Sequence, residues 1–487
     1  MAEEVRVSTR RHLQNFFALG AGNYAAMAVA LAINAVLARR LGVEQFGRLA
    51  LLLTSSQVVA LLVSNWTHVA VVRFGAVEFN GTGSVAETFW TRIWIVMPWA
   101  AAAALILLAG SDRLAEYLTV SRTGLLVVWL HFVATLGLTT VGAIFQAKQE
   151  MYRYGAALFL DKAVMACVLL LLPAAWVSTP LVVLAAYAAS SALVTIGGLV
   201  ILGKASLMPV AFRGQAYRNM WAFSSPLILS SWAALFGTSW FDFIVLKWYR
   251  PLTELGWYSL GTLLAGVLQQ ISIVFSTLLL PQFSIMVANG EIDRIAVLVK
   301  RVLPYWFLGT SVLFSVALLA ASWLVPLVFG RAFEPSVAVL AVLMVGACAL
   351  ALFNAFSSLV SALGSTWALT GICVASGTVN VVMDLLLIPS YGVRGAAIAT
   401  VLSYVTAAGL VLAYVQTRLQ ANVMSLPLLG LPVLITCVAF WQLTGPWLYF
   451  VAVSTAAVSV FVLIRTFDLF RGEDTAFVRS RIAAFLT

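Results

Sequence analysis

Apolar residues run along this chain in long unbroken blocks, with short polar segments between them. The blocks at 16–37, 93–109, 125–145, 302–329 and 396–415 are near or above the length that crosses ~30 Å of hydrocarbon. In lipid, backbone polar groups are satisfied only in helices or closed barrels, and barrel strands alternate polar with apolar positions. These blocks do not alternate, so they predict helices. Spans of ~20 residues each fall at 13–38, 47–72, 88–110, 124–145, 154–174, 179–202, 221–247, 256–280, 302–328, 336–360, 369–388, 393–416, 425–442 and 445–465. The expectation is an all-α integral membrane protein of about fourteen transmembrane helices. Residues 1–14 are polar and the run after them is too long for the core of a signal peptide, so it reads as a retained first helix.

Short echoes divide the helices into halves. Ala38-Arg-Arg-Leu-Gly-Val-Glu-Gln-Phe-Gly47 follows the first helix, and Lys247-Trp-Tyr-Arg-Pro-Leu-Thr-Glu-Leu-Gly256 follows the seventh, at an offset of 209. Leu169-Leu-Leu-Leu-Pro173 pairs with Leu385-Leu-Leu-Ile-Pro389 at an offset of 216, and Gly155 pairs with Gly371 at that same offset. Together they predict two six-helix lobes of equal orientation, related by a pseudo-two-fold axis along the membrane normal, with a site between them. The N-lobe would span 1–220, the C-lobe 221–420, and residues 421–487 would hold two extra C-terminal helices and a cytoplasmic tail.

Composition agrees with the pattern. The 487 residues are 62% hydrophobic and 9% charged, with a mean hydropathy of +1.02, too few charges to clothe a soluble protein of this length. The net charge of +10 sits in short loops, where it reports topology and contact with anionic membrane lipids. No basic tract carries interleaved aromatics, so nucleic-acid binding is excluded. Of the 28 basic residues, 18 fall on the side of the N-terminus, 9 on the other, and Lys162 lies within a span. That bias predicts both termini in the cytoplasm. Cys167, Cys348, Cys373 and Cys437 lie in apolar runs without CxxC spacing and read as small core residues, not as ligands or disulfides.

Polar residues inside spans are costly, so they mark candidate chemistry. Ser224, Ile228, Ser231, Leu235, Thr238 and Asp242 follow helical spacing along the seventh helix, a hydroxyl face ending in a carboxylate. Gln269, Ser272 and Ser276 share a face of the eighth helix. Asn23 and Asn34 share one on the first, and Gln57, Ser64 and His68 share one on the second. Any single hydroxyl more often glues helices together; four stripes on repeat-related helices predict a wet cavity. Trp66 and Trp240 are candidates for stacking on sugar rings. Arg73 at the inner mouth and Lys247 at the outer are candidates to hold an anionic headgroup, and Asp242 is a candidate for an acidic gate or ion-coupling group. Asp161 and Lys162 are neighbours that point about 100° apart on a helix, so each is expected to pair with another helix. Asp384 is the remaining intramembrane acid.

No catalytic constellation emerges. There is no GxxxxGK[ST] phosphate loop, no HExxH, no GxSxG, and only three histidines, so the chain reads as a non-enzyme without a cofactor. A membrane glycan polymerase or ligase needs a large polar loop, and the loops here are under about 25 residues by the span lengths used.

The stretch 37–47 resembles the first outer loop of Wzx-type polysaccharide flippases. Ser239-Trp-Phe-Asp242 followed by Leu255-Gly-Trp-Tyr-Ser-Leu260 resembles their seventh-helix Asp and the opening of the eighth. Val379-Asn380-Val-Val-Met-Asp384, with Pro389, Gly392, Gly395, Ala399 and Thr400, resembles the signature of helices eleven and twelve in the wider multidrug, oligosaccharidyl-lipid and polysaccharide exporter superfamily. Phe329-Gly-Arg-Ala-Phe333 resembles the loop before helix ten. The resemblance implies a flippase that carries undecaprenyl-diphosphate-linked oligosaccharide across the inner membrane by alternating access, for surface polysaccharide such as lipopolysaccharide or exopolysaccharide. It also implies a lipid-linked oligosaccharide partner and a polymerase and chain-length regulator in the same pathway. Two features depart from the pattern. The first half lacks the Gly-x-x-Gly-Ala-Ala continuation after Pro173, and the first helix lacks the cations that some lipid II flippases use, which counts against lipid II. The alternatives are a cation-coupled multidrug extruder of the same superfamily and a membrane polymerase or ligase. The sequence does not choose between H⁺, Na⁺ and a product gradient as the driving force.

Overall fold

The structure, a computed structural model, describes residues 2–209, 212–237, 239–419, 423–442 and 446–466. Every described regular element is helical. The first part of the chain forms α1 (Ala2–Val63), α2 (His68–Thr82), α3 (Ala86–Ala109), α4 (Ser111–Leu118), α5 (Arg122–Ala147), α6 (Met151–Leu171), α7 (Ala174–Val177) and α8 (Pro180–Leu207). Next come α9 (Gly214–Phe236), α10 (Ser239–Tyr249), α11 (Leu252–Ala288), α12 (Ile292–Val297), α13 (Leu303–Val328) and α14 (Pro335–Ala362). The last four are α15 (Thr366–Tyr391), α16 (Val393–Leu419), α17 (Leu431–Gln442) and α18 (Pro446–Thr466). Ten described helices are long and apolar enough to cross a membrane, and Leu426–Gln442 and Val451–Arg465 are shorter apolar helices. With α1 read as two spans across its kink, and α9 with α10 as one, this is the fourteen-helix architecture expected.

Several boundaries differ from the pattern, each for a local reason. The first two predicted helices are continuous through Gly42, whose φ of 70° and ψ of 173° turn the chain between them. Such a conformation favours a residue without Cβ. The second span breaks at Asn65–Thr67, a tight 3-10 turn, and resumes at His68 as α2, which runs to Thr82, ten residues beyond the expected end. There the Thr67 hydroxyl donates to the Ser64 carbonyl at 2.7 Å, and the Ser64 hydroxyl donates to the Ala60 carbonyl at 3.0 Å. The predicted seventh helix is interrupted at its middle: α9 ends at Phe236 and α10 begins at Ser239. The face running from Ser224 to Asp242 is therefore not one helical stripe, and Thr238 lies outside the described residues, as does the tail 467–487.

The chain divides into two compact units. One comprises Met1–Leu235 with Pro251–Gly256, the other Phe236–Arg250 with Trp257–Thr487, so the division falls inside the predicted seventh helix. In the first unit α1 packs on α6, α5 on α8 and α2 on α5, around Trp66, Val71, Phe89, Ile95 and Phe145. Small residues let helix backbones approach. Gly22 of α1 meets Gly155 of α6, where an added Cβ would stand 2.7 Å from the Gly155 carbonyl oxygen. Gly371, the repeat partner of Gly155, has open space instead. In the second unit α14 and α15 pack on α16, and α13 on α14 and α17, around Phe283, Phe314, Phe356 and Val411.

The outer surface is apolar. Leu170 and Leu171 are 83% and 85% exposed while neighbouring Leu169 is 6% exposed, the arrangement of a helix with one face to lipid. Cys167 and Cys373 share that exposed setting, which corrects their reading as core residues. Lipid is as apolar as a core, so an apolar run cannot tell the two apart.

Candidate functional site

A fully buried polar cluster among the described residues lies in the second unit and is centred on Asp242. α10 brings Asp242 to full burial, α11 brings Tyr258, α15 brings Asn380 and Asp384, and α16 brings Thr400; none is more than 2% exposed. Asn380 and Asp384 are four apart on α15 and so share a face. The Thr400 hydroxyl donates to Asp242 Oδ2 at 2.7 Å, and the Tyr258 hydroxyl donates to the same oxygen. Asn380 Nδ2 donates to Asp242 Oδ1 and to Asp384 Oδ2, both at 2.9 Å. The Asn380 amide thus joins the two carboxyls, and Asp384 Oδ1 has no hydrogen-bond partner among the described residues.

Lys247, at i+5 from Asp242 on α10, is poorly placed to pair with it, since i+3 and i+4 are the neighbours on a helix. Among the described residues its partners come from other helices: two hydroxyls and an amide that it shares with a second acid. Arg250 instead donates to the Pro389 carbonyl at 2.8 Å and the Ile388 carbonyl at 3.3 Å, at the end of α15. Lys247 is half-buried on α10. Two carboxyls side by side in a lipid-embedded interior cannot both stay bare and charged. Either a proton is shared between them or a cation neutralises them. Their oxygens with that of Thr400, and that of Asn380 with its amide turned, are a hard oxygen set suited to a small cation. No group of three or more His, Cys, Asp or Glu residues stands together among the described residues.

The first unit holds two further polar clusters. Asp161 and Lys162 pair with each other at 2.7 Å, contrary to the expectation that each would find another helix. The flexible lysine stem curls back across the angle that separates the two positions. Asp161 also accepts the Ser191 hydroxyl at 2.7 Å, and its carbonyl accepts that of Ser190, both from α8. The Ser403 hydroxyl donates to the Ser376 carbonyl at 2.9 Å in the same manner in the second unit. In the second cluster His68 meets the Gln146 amide at 3.4 Å, and Arg92 is within electrostatic reach of His68.

The other sequence candidates take more ordinary places. Asn34 donates to the Ala30 carbonyl of its own helix at 2.8 Å, and Asn23 is half-buried. Arg73 is exposed, with its guanidinium 4.6 Å from the Phe223 ring centroid. Ser231 and Gln269 are half-buried, and Ser276 bonds the Ser358 hydroxyl at 2.7 Å as helix glue. Trp66 is 2% exposed, edge-on to Trp99 and Trp221 at 6.0 and 5.8 Å, so it is a packing residue and not an open sugar platform.

A family described as polysaccharide biosynthesis protein matches residues 12–287. A search of curated proteins returned no match. Among solved structures, one described as lipid II flippase MurJ in an inward closed conformation aligns with a TM-score of 0.72 at 11% identity, covering 95% of this chain and 99% of its own. An inward-facing multidrug resistance MATE transporter of the MOP superfamily aligns at 0.58 and 11% identity, covering 84% and 94%. A mutant form of the Vibrio cholerae MATE transporter VcmN aligns at 0.54 and 17%, covering 85% and 98%. At these identities the likeness is one of fold, the all-α membrane transporter fold. The family match covers more than half of the chain, and the protein belongs to the polysaccharide biosynthesis protein family.

Proposed function

We propose that this protein is a flippase that moves a polyprenyl-diphosphate-linked oligosaccharide across the cytoplasmic membrane. The observation that carries the reading is the family match over residues 12–287, joined to a fold shared with a lipid II flippase over nearly the whole chain. The Asp242–Asp384 cluster supplies the coupling element. A proton or small cation entering it removes the repulsion between two buried carboxyls, and the affinity of α10, α15 and α16 for that ion differs between conformations. An ion with such differential affinity shifts the balance of inward- and outward-open states.

A second reading, a cation-coupled drug extruder, is favoured by the MATE structures. Deleting the gene separates the two. A flippase mutant loses its surface polymer and keeps normal resistance to dyes. A mutant with intact surface glycan and dye hypersensitivity belongs to an extruder.

The 18-to-9 charge bias supports an orientation with both termini in the cytoplasm. In a cysteine-free background, single cysteines at Glu44 and Tyr391 are expected to label from the periplasm, and those at Gln215 and Ile292 from the cytoplasm. All four positions are exposed, whereas Val43 and Leu252 beside the same turns are buried. Labelling of Glu44→Cys and Gln215→Cys from one side contradicts the topology.

A further inference from the structure

The two acids of the Asp242 cluster are supplied unequally with hydrogen bonds. A carboxylate offers about four lone-pair positions. Asp242 has three donors: the Tyr258 and Thr400 hydroxyls on Oδ2 and the Asn380 amide on Oδ1. Asp384 has one, the Asn380 amide on Oδ2. Its Oδ1 is buried and has no partner among the described residues. Hydrogen bonds to a carboxylate stabilise its charged form, and a bare charge in a lipid-embedded unit is costly. The donors therefore mark Asp242 as the ionised member and leave Asp384 Oδ1 as the oxygen that lacks a hydrogen.

A metal ion would have to rearrange this set. It is held by oxygen lone pairs, whereas all three polar neighbours of Asp242 turn hydrogens toward it. Asn380 would give up both of its 2.9 Å bonds to present its carbonyl oxygen. The hydroxyls have only longer alternatives, Tyr258 to Thr400 Oγ1 at 3.2 Å and Thr400 to the Ala396 carbonyl at 3.1 Å. A metal ion also needs space among side chains at most 2% exposed, and a proton needs none. Other charged groups on the helices around α15 are engaged elsewhere. Arg250 holds the carbonyls at the end of α15, Arg394 stands over Trp441 at 4.9 Å, and Arg418 over Tyr414 at 5.5 Å. Lys247 and Tyr249 of α10 and Tyr404 of α16 complete the titratable groups of those two helices, and α14 carries no charged residue.

We infer that the ion taken by this cluster is a proton carried on Asp384, and that Tyr258 bars a metal ion by holding its hydroxyl hydrogen on Asp242. The proton adds to the Asp384 carboxylate on loading and leaves it for water on release, in a conformation that opens the cluster. Asp242 stays ionised in both states, held by its three donors. The loaded pair bears one negative charge and the released pair two, and that difference ties protonation to conformation. The coupling role rests on the flippase reading above, whereas the choice of ion rests on the hydrogen bonds alone.

The test uses the full-length protein in lipid vesicles and the infrared carbonyl band of a protonated carboxylic acid, recorded at neutral pH in potassium chloride and in sodium chloride. The wild type is expected to show the band in both salts. Asp384→Asn is expected to lose it, and Asp242→Asn to keep it, because Asp384 is then still buried among neutral groups. Tyr258→Phe frees a lone pair on Asp242. It is expected to lose the band when sodium replaces potassium, and to melt higher in sodium, a response that the wild type lacks. Thr400→Val removes a donor from the same oxygen but leaves Tyr258 in place, and is expected to stay insensitive to sodium. A wild type without the band, or one that loses it in sodium, overturns the proton assignment, and this comparison needs no variant. Loss of the band in Asp242→Asn with retention in Asp384→Asn overturns the choice of Asp384. A Tyr258→Phe protein that matches the wild type in both salts, or that fails to accumulate, overturns the selective role of Tyr258. A proton found on Asp384 in a protein whose deletion leaves surface polymer intact would fault the flippase reading and not the ion assignment.

Discussion

Asp242→Asn is expected to abolish surface polymer while the protein accumulates and melts within a few degrees of wild type. The substitution keeps shape, and Asn380 still finds an oxygen at position 242. Tyr258 and Thr400 must turn their hydroxyls to accept from the new amide, a rearrangement worth about 1 kcal/mol. What disappears is the second carboxyl, and with it the repulsion that a proton or cation would relieve. Asp384→Asn is expected to give the same phenotype, because the ion is held by the pair. Double neutralisation is expected to be no more active than either single change, since among the described residues neither acid forms an ion pair whose loss could be rescued. Asp242→Ala is different: it strands three buried donors and opens a void, at about 3 kcal/mol or more. Polymer assays with membrane protein levels check each variant. A stable, fully active Asp242→Asn protein removes the pair from transport. Failure of the Asn protein to accumulate assigns the cluster to folding.

Gly47→Val is expected to prevent accumulation of folded protein. A Cβ on Gly47 would stand 2.1 Å from the Leu252 carbonyl oxygen and 2.6 Å from the Gly256 nitrogen. A Cβ on Gly256 would stand 2.2 Å from the Val43 carbonyl oxygen. These are backbone atoms, which cannot swing aside as a flexible side chain can. The cost should therefore lie at or beyond the top of the usual overpacking range, about 3 kcal/mol. Gly81, with open space around its Cβ position, is the control, and Gly81→Ala is expected to fold normally. Detergent-solubilised yield and melting temperature read the difference. Normal yield of Gly47→Val contradicts the close crossing.

Gly47 and Gly256 also show what the sequence could reveal. Their matching contexts at an offset of 209 mark them as repeat equivalents. Nothing in the spacing says that the two lie against one another. The spans themselves were legible, because only helices satisfy a backbone in lipid. The faces were not. With apolar solvent outside and apolar core inside, Leu169 and Leu170 look alike in sequence and differ wholly in exposure. Hydroxyl stripes on the second and seventh helices assumed regular helices through positions where the chain breaks, at Asn65–Thr67 and between Phe236 and Ser239.

Partners were harder still. The residues around Asp242 lie up to 158 positions away, and they include hydroxyls and an amide whose types carry no special signal. The i, i+4 spacing of Asn380 and Asp384 was the one local hint, visible beside Thr400 in the stretch resembling the exporter signature.

The central claim is movement of a lipid-linked oligosaccharide between leaflets. Its most direct test is the sidedness of that lipid in cells depleted of the protein, read with a membrane-impermeant glycan-cleaving or glycan-labelling reagent added to spheroplasts. The account predicts that the lipid-linked oligosaccharide accumulates in a form the reagent cannot reach, and that wild-type protein, but not Asp242→Asn, restores access. Lipid-linked oligosaccharide equally accessible from outside with and without the protein would contradict it.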